Sequence, residues 1–484
     1  MKDKATLGLF WSFIDSLANQ GIQFIIGVIL ARILSPSEFG TVGIITIFIS
    51  ISQSIIDCGF SNALIRKKDC NKNDYSTVFI FNLFVSLILY FILFSISINI
   101  GKYFNNDQLI PLIKVLSIGL IFNSLGIIQR TIIIKSIDFK SLTKVSLFSS
   151  LGSGIISITV ASYGYGVWSL VWLSISKFAF NSILLNYYSK WKPTLIFDVK
   201  SFRELFSFGG KLFISGMIDT IYRNIYFFLI GKYFSSTELG YYSRADQFQA
   251  IPSQNLLGIV SKVSFPLLST IQDDINLLRA TYIKLIRSTM FVTFILMLGM
   301  ASVSESMVLT LIGNKWLPCV EYIQILCFAG MFYPLHAINL NILQILGRSD
   351  IYLKVEILKK ILSIPAIVIG IFYGIRILLI GLVINTLISL YINSYWSSRF
   401  IEYSFVKQIK DILPSFIIAL VISSIVFIFG KFINTIPIVI LILQICLGSI
   451  LTFIYCELSK NQDYIYLKNI VFHFLKINNN GKTY

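Results

Sequence analysis

Arg32-Ile33-Leu34-Ser35-Pro36-Ser37-Glu38-Phe39-Gly40-Thr41-Val42 and Lys232-Tyr233-Phe234-Ser235-Ser236-Thr237-Glu238-Leu239-Gly240-Tyr241-Tyr242 are one pattern written twice, 200 residues apart. A basic residue, a Ser, a Glu and a Gly recur in register, and each copy lies between long apolar runs. The runs that precede the two copies match as well. Asp15, Asn19, Gln23 and Gly27 are spaced i, i+4, i+8 and i+12, which sets them along one helix face. Ser215, Asp219, Arg223 and Phe227 form the counterpart stripe at the same offset. Two halves with matching polar stripes on membrane helices are the plan of a transporter built from repeats.

Composition puts the remainder of the chain in a bilayer. Of 484 residues, 56% are hydrophobic and only 13% charged, and the mean hydropathy is +0.79, which excludes an ordinary soluble domain. Apolar runs of about 20 residues, the length that crosses a bilayer, recur from end to end. The runs 8–33, 40–65, 75–100, 109–132, 142–163 and 165–188 form a first set. A second set follows at 205–233, 239–266, 283–312, 320–346, 350–373 and 376–399, and two more runs lie at 412–430 and 436–456. The expected architecture is therefore an all-α polytopic membrane protein with fourteen transmembrane helices. Its parts are an N-terminal lobe (1–195), a C-terminal lobe (196–400), and a last pair of spans with a cytoplasmic tail (401–484). The first run follows Lys2 and Lys4, is too long for a signal-peptide core and lacks a small-residue cleavage site, so it reads as a retained span.

The formal charge of +17 belongs to topology rather than to a nucleic-acid partner. With the N-terminus inside, cytoplasmic segments hold 29 of the 40 Lys and Arg and outside segments hold seven, alternating loop by loop. Both termini are expected in the cytoplasm. Outside loops are short, so no extracytoplasmic catalytic domain fits. The longest interior loop, Ser189 to Leu205, joins the two halves. The six cysteines have no metal-ligand spacing and the chain has two histidines, so neither metal nor cofactor is expected.

A charge near the bilayer centre costs on the order of 2.5–3.5 kcal/mol even on insertion scales, so each one needs a reason. Most of those here fall on spans 1, 2, 7 and 8, which points to four helices lining something wet. Arg223 sits near mid-depth on span 7, four residues from Asp219 on the same face. Either the two pair to hold helices together, or Arg223 offers a bidentate donor to an anionic headgroup, phosphate first among them. Arg244 in span 8 and Lys177 in span 6 are further candidates for the same cavity, with snorkelling to the interface as the alternative for Arg244. Lys262 reads as an inner-end positive residue. Asn19, Gln23, Gln247, Gln254 and Ser261 supply hydrogen-bonding groups suited to sugar hydroxyls. Asp15, Asp57, Asp219 and Asp246 suit either a coupling cation or proton, or the role of counter-ions to the arginines. Pro252 is expected to kink span 8. No phosphate loop, metal cluster or nucleophile elbow is present, and Asp273-Asp274 reads as a solvated loop pair.

Several segments resemble a known family. They are Ile56-Asp57-Cys58-Gly59-Phe60-Ser61-Asn62-Ala63-Leu64-Ile65-Arg66, Gly164-Tyr165-Gly166-Val167-Trp168-Ser169-Leu170 and Trp191-Lys192-Pro193 in the first half. The second half adds Leu239-Gly240-Tyr241-Tyr242-Ser243-Arg244-Ala245, Val263-Ser264-Phe265-Pro266 and Gly347-Arg348-Ser349-Asp350. In order and spacing, over roughly residues 5 to 400, they resemble Wzx/WzxC-type oligosaccharide flippases of the multidrug/oligosaccharidyl-lipid/polysaccharide (MOP) exporter superfamily. The resemblance implies two six-helix lobes around a central cavity, related by a pseudo-twofold along the membrane normal, and alternating access. It implies transport of an undecaprenyl-pyrophosphate-linked oligosaccharide, an O-antigen, capsule or exopolysaccharide repeat unit, across the bacterial cytoplasmic membrane. Cavity cations in the family are thought to meet the diphosphate, a role that falls here to Arg223 and Arg244. Expected partners are the lipid-linked oligosaccharide, a polysaccharide polymerase and glycosyltransferases, with the chain itself a monomer and no nucleic acid involved. A cation-coupled drug antiporter of the same superfamily is the nearest rival, and basic Arg223, Arg244 and Lys177 argue against it. A membrane polymerase or glycosyltransferase is the rival from the enzymes, and it lacks the large loop or domain it would need.

Overall fold

The computed structural model describes residues 2–194, 196–460, 462–465 and 468. The C-terminal part of the expected tail, and the side chains of Lys2, Lys4, Ser261 and Lys262, lie outside the described residues. The described residues are α-helical apart from turns, caps and one 3-10 turn at Asn314–Trp316. The helices are α1 (Lys2–Ile33), α2 (Pro36–Asp57), α3 (Phe60–Arg66), α4 (Lys72–Tyr103), α5 (Leu109–Leu116), α6 (Ile118–Lys135), α7 (Phe139–Ser162) and α8 (Trp168–Ser189). They continue with α9 (Val199–Tyr233), α10 (Ser236–Ser269), α11 (Ile275–Leu311), α12 (Cys319–Gly330), α13 (Tyr333–Ile345) and α14 (Ser349–Tyr373). The last three are α15 (Ile375–Ile401), α16 (Phe405–Phe432) and α17 (Pro437–Leu458).

Fourteen rod-like segments result, because three of the expected spans are each made of two helices. The second breaks at Cys58 and Gly59, both left-handed, with φ of 46° and 73°. The fourth breaks at Ser117 and its counterpart in the second half, the tenth, breaks at Met331 and Phe332. Judged on the described residues, eleven of the fourteen segments are long and apolar enough to cross a membrane. The other three are α9, α10 and α14, which carry the charges that make them poorer lipid partners. The kink expected at Pro252 is not marked by a break, for α10 runs through it as one helix. A proline removes one i→i−4 bond, and a 34-residue helix retains its neighbours on either side.

The repeated motif has a physical reading at each recurring position. Ser35 and Glu38 start α2 as a capping box: the Glu38 carboxylate accepts the Ser35 N–H at 2.7 Å and the Ser35 hydroxyl at 2.8 Å. Ser235 starts α10 in the same manner, accepting the Glu238 N–H at 3.1 Å. The recurring Gly permits backbone contact. A Cβ on Gly40 would overlap the carbonyl of Ser236, and a Cβ on Gly240 would overlap the carbonyl of Pro36. Residue 40 meets 236 and residue 240 meets 36, so the two motifs pack on each other reciprocally. Lys232, the recurring basic residue, donates to the Tyr103 carbonyl at 2.5 Å and lies 3.8 Å from the Tyr103 ring centroid.

The chain divides into two compact units, Met1–Ser243 and Arg244–Tyr484. In the first, α1 packs on α7, α7 on α8, α8 on α6, and α2 on α9. The loop after α8 is tied to α4: Trp191 sits edge-on to Phe79 at 5.8 Å, Thr194 bonds Ser76 at 2.7 Å and Thr77 accepts the Asp198 N–H at 2.9 Å. That tether keeps α9 with the helices of the first repeat, and its Gly209 backbone fits against Gly59 so closely that a Cβ there would lie 3.1 Å from the Gly59 carbonyl. In the second unit, α11 packs on α16, α17 and α12, and α15 on α14 and α13. A buried polar network ties four of these helices. Asn339 accepts from Tyr282 at 2.8 Å and from Ser397 at 2.5 Å, and donates to Gln408 at 3.3 Å. Between apolar helices such bonds supply the adhesion that hydrophobicity cannot.

Candidate functional site

Three of the site residues read from sequence come together within the first unit. Asp15 and Asn19 of α1 and Lys177 of α8 line one cavity of about 330 Å³. Ser12 of α1, Arg130 of α6, Phe139 and Ser146 of α7 and Asn181 of α8 complete its polar and aromatic wall. Helix periodicity explains the grouping. Ser12, Asp15 and Asn19 follow i+3 and i+4 steps, as do Lys177 and Asn181, so each set shares one face. Asn19 is held by the Ser150 hydroxyl at 2.6 Å and by the Gln23 amide at 3.0 Å, which places Gln23 behind it as an exposed support. The charged groups are not so engaged. Asp15, Lys177 and Arg130 make no hydrogen bond or ion pair with a described residue, and one Asp15 carboxylate oxygen is fully buried. Arg130 and Asn181 escaped the sequence reading. The i+4 spacing from Lys177 is the signal that could have found Asn181, whereas Arg130 was absorbed into the inside-positive count.

Arg223 and Asp219 lie on the exposed face of α9, outside that cavity. Arg223 makes no hydrogen bond or ion pair with a described residue, so the pairing with Asp219 is not formed. Its guanidinium keeps its donors open. Asp57 has a different setting: its carboxylate accepts the Ser61 N–H at 3.3 Å and the Ser61 hydroxyl, bridging the break between α2 and α3.

In the second unit, α10 carries Arg244, Asp246 and Gln247, all half-buried, and the exposed Gln254. Asp246 has no hydrogen-bond or ion-pair partner among the described residues. The sequence reading missed Gln249 one turn further on. It is buried, donates to Ser253 at 2.9 Å and occupies the space that a Cβ on Gly330 would need. Among the described residues no group of His, Cys, Asp and Glu is arranged to hold a metal.

A multi-pass helical membrane protein with uncommitted cations on its polar helices belongs among solute or lipid carriers, and comparison with known proteins gives the class its family. Residues 29–321, more than half of the chain, match the family model described as polysaccharide biosynthesis protein. The chain belongs to that family, which agrees with the flippase resemblance read from the motifs. It is 26% identical over 376 residues to the lipopolysaccharide biosynthesis protein WzxC of Escherichia coli (strain K12), covering 76% of each chain. It is also 26% identical over 355 residues to the teichuronic acid biosynthesis protein TuaB of Bacillus subtilis (strain 168), covering 71% of this chain and 72% of the relative. Among solved structures it is similar to the lipid II flippase MurJ in an inward closed conformation, with a TM-score of 0.75, 16% identity, and coverage of 94% of this chain and 100% of that one. An inward-facing MATE family transporter of the MOP superfamily follows, with a TM-score of 0.63, 14% identity and coverage of 79% and 94%. These structures share the fold. The chain is a flippase-type transporter of polysaccharide biosynthesis.

Proposed function

We propose that this protein translocates an undecaprenyl-pyrophosphate-linked oligosaccharide from the cytoplasmic to the outer leaflet by alternating access, without itself making or breaking bonds. The transported glycan is a repeat unit of O-antigen, capsule or exopolysaccharide. The lobes 1–195 and 196–400 are the moving parts, and both termini face the cytoplasm of the bacterial cell. The observation that carries this reading is Arg223, a guanidinium on a polar membrane helix with no partner among the described residues, in a chain of the polysaccharide biosynthesis family. A cation left unpaired in a membrane segment is costly, and binding an anion there recovers that cost. A guanidinium matches the paired oxygens of a diphosphate in geometry and in charge. Arg244 is the second donor, and Gln247 and Gln254 present amides to sugar hydroxyls. The unpartnered carboxylate of Asp246 suits a coupling cation or proton.

The test is leaflet transfer of a fluorescent undecaprenyl-diphosphate sugar in proteoliposomes. Wild type should move the lipid, and Arg223→Ala should slow transfer by about a hundredfold, the scale of one lost charge-assisted bidentate contact. Arg223→Lys should recover only part of it. Normal transport by Arg223→Ala removes Arg223 from the site. A wild type that ignores the lipid but exchanges a cationic dye for protons or sodium is an antiporter instead.

A further inference from the structure

We propose that the cavity of the first unit binds an acidic sugar residue of the transported glycan, so that the substrate is an acidic oligosaccharide. The inference rests on the flippase reading and concerns a place separate from Arg223. Two cations, Lys177 and Arg130, face the cavity with one carboxylate, Asp15, and none of the three is paired to another described residue. The walls carry a net charge of one positive, which the single carboxylate of an acidic sugar balances. A diphosphate, with two or more negative charges, meets Asp15 as an uncompensated neighbour. The remaining lining is part polar and part apolar, with Ile134, Leu142, Val145 and Leu185 among it, a mixture suited to the two sides of a sugar ring. Asn19, Asn181, Ser12 and Ser146 offer amide and hydroxyl groups, and Phe139 offers an apolar face to the C–H side of the ring. The volume of about 330 Å³ lies at the lower end of small-molecule pockets, roughly 300–1,000 Å³, which suits one sugar residue rather than a whole repeat unit. Neutral polar groups alone would serve a neutral sugar, and two open cations would then remain without purpose. An acid on the ring satisfies both.

The test is calorimetric titration of the full-length protein in nanodiscs with three probes. They are a disaccharide ending in glucuronic acid, its neutral glucose counterpart, and undecaprenyl phosphate. The acidic disaccharide should bind at least about tenfold more tightly than the neutral one, and Lys177→Gln or Arg130→Gln should abolish that preference. Lys177→Arg should restore it, which separates lost charge from lost folding. Equal affinity for the two disaccharides, or a preference that survives both substitutions, overturns the proposal. So does a dependence on Lys177 seen only with undecaprenyl phosphate, which assigns the cavity to the lipid linkage. A protein that flips a neutral lipid-linked glycan and fails this titration keeps its flippase function and loses its acidic-sugar site. One that binds the acid and moves no lipid does the reverse.

Discussion

At Asp57 the carboxylate reaches across the left-handed pair Cys58 and Gly59 to take both the N–H and the hydroxyl of Ser61. The Ser61 hydroxyl lies within 3.3 Å of Thr131 on α6, so one side chain starts α3 and fixes it against a neighbour. This is capping chemistry, for which an amide oxygen serves nearly as well as a carboxylate. Asp57→Asn should therefore retain lipid transfer, whereas Asp57→Ala should lower stability by about 1–2 kcal/mol, read as an earlier thermal transition in detergent. Loss of transport in Asp57→Asn, with stability intact, would give the charge a coupling role. From sequence, Asp57 and Asp246 looked alike, since both are acids in apolar runs. Their difference is made by the fold at Cys58 and Gly59, and a span read as one continuous helix gives no hint of it. Lys177, Asp15 and Asn19 were legible because helix spacing and depth are written in the chain. Arg130 was not, because an inner-end arginine looks the same whether it faces water, headgroups or a cavity.

Elements meet backbone to backbone where the repeated glycines lie. Gly40→Ala and Gly240→Ala should each destabilise by about 1–3 kcal/mol, because the backbone that would be displaced is a carbonyl and not a flexible side chain. Since one small separation relieves both clashes, the double variant should cost less than the two singles added, as a thermal-unfolding cycle would read. At the start of α9, Asp198 accepts the N–H of Lys200 at 3.0 Å and the Ser201 hydroxyl at 2.6 Å. The Ser201 hydroxyl first, and then the backbone N–H groups, hold its carboxyl below the usual carboxylate range. A depressed folded pKa means that this cap contributes fully above the unfolded value of about 3.9 and is lost as pH falls through the folded one. A spin label at Arg203 should accordingly stay immobile from pH 7 to about pH 4 and loosen below it. In Asp198→Ala it should be mobile throughout. The motif that revealed the repeat was legible as a recurrence, and its cause, a capping box followed by a backbone contact, was not, because neither leaves a mark on hydropathy.

For the molecule as a whole, the fourteen segments were readable since length and apolarity are set by the bilayer and not by tertiary packing. The breaks inside three of them were invisible, because Ser117 and Met331-Phe332 lie in unbroken apolar runs and Asp57 beside Cys58 and Gly59 reads as an intramembrane acid rather than as a cap. The bias of basic residues predicts the orientation. In a background without the six native cysteines, a cysteine at Tyr165 should react with a membrane-impermeant maleimide added outside intact cells. One at Asn479 should react only after the membrane is opened, and the reverse pattern inverts the topology. The tether of Trp191, Thr194 and Asp198 to α4 also explains why the compact units divide at Ser243 and not at the loop between the repeats.

The reciprocal packing of Gly40 on Ser236 and Gly240 on Pro36 carries one more consequence. It is an isologous contact, in which a surface recognises its own copy, the form taken by the interface of a twofold homodimer. Each half-chain thus still carries a self-complementary patch, as it would if two identical subunits had once associated there before fusion joined them. A side chain at either glycine would meet the carbonyl it faces in the other copy, so the two positions are coupled as the matching points of such an interface are.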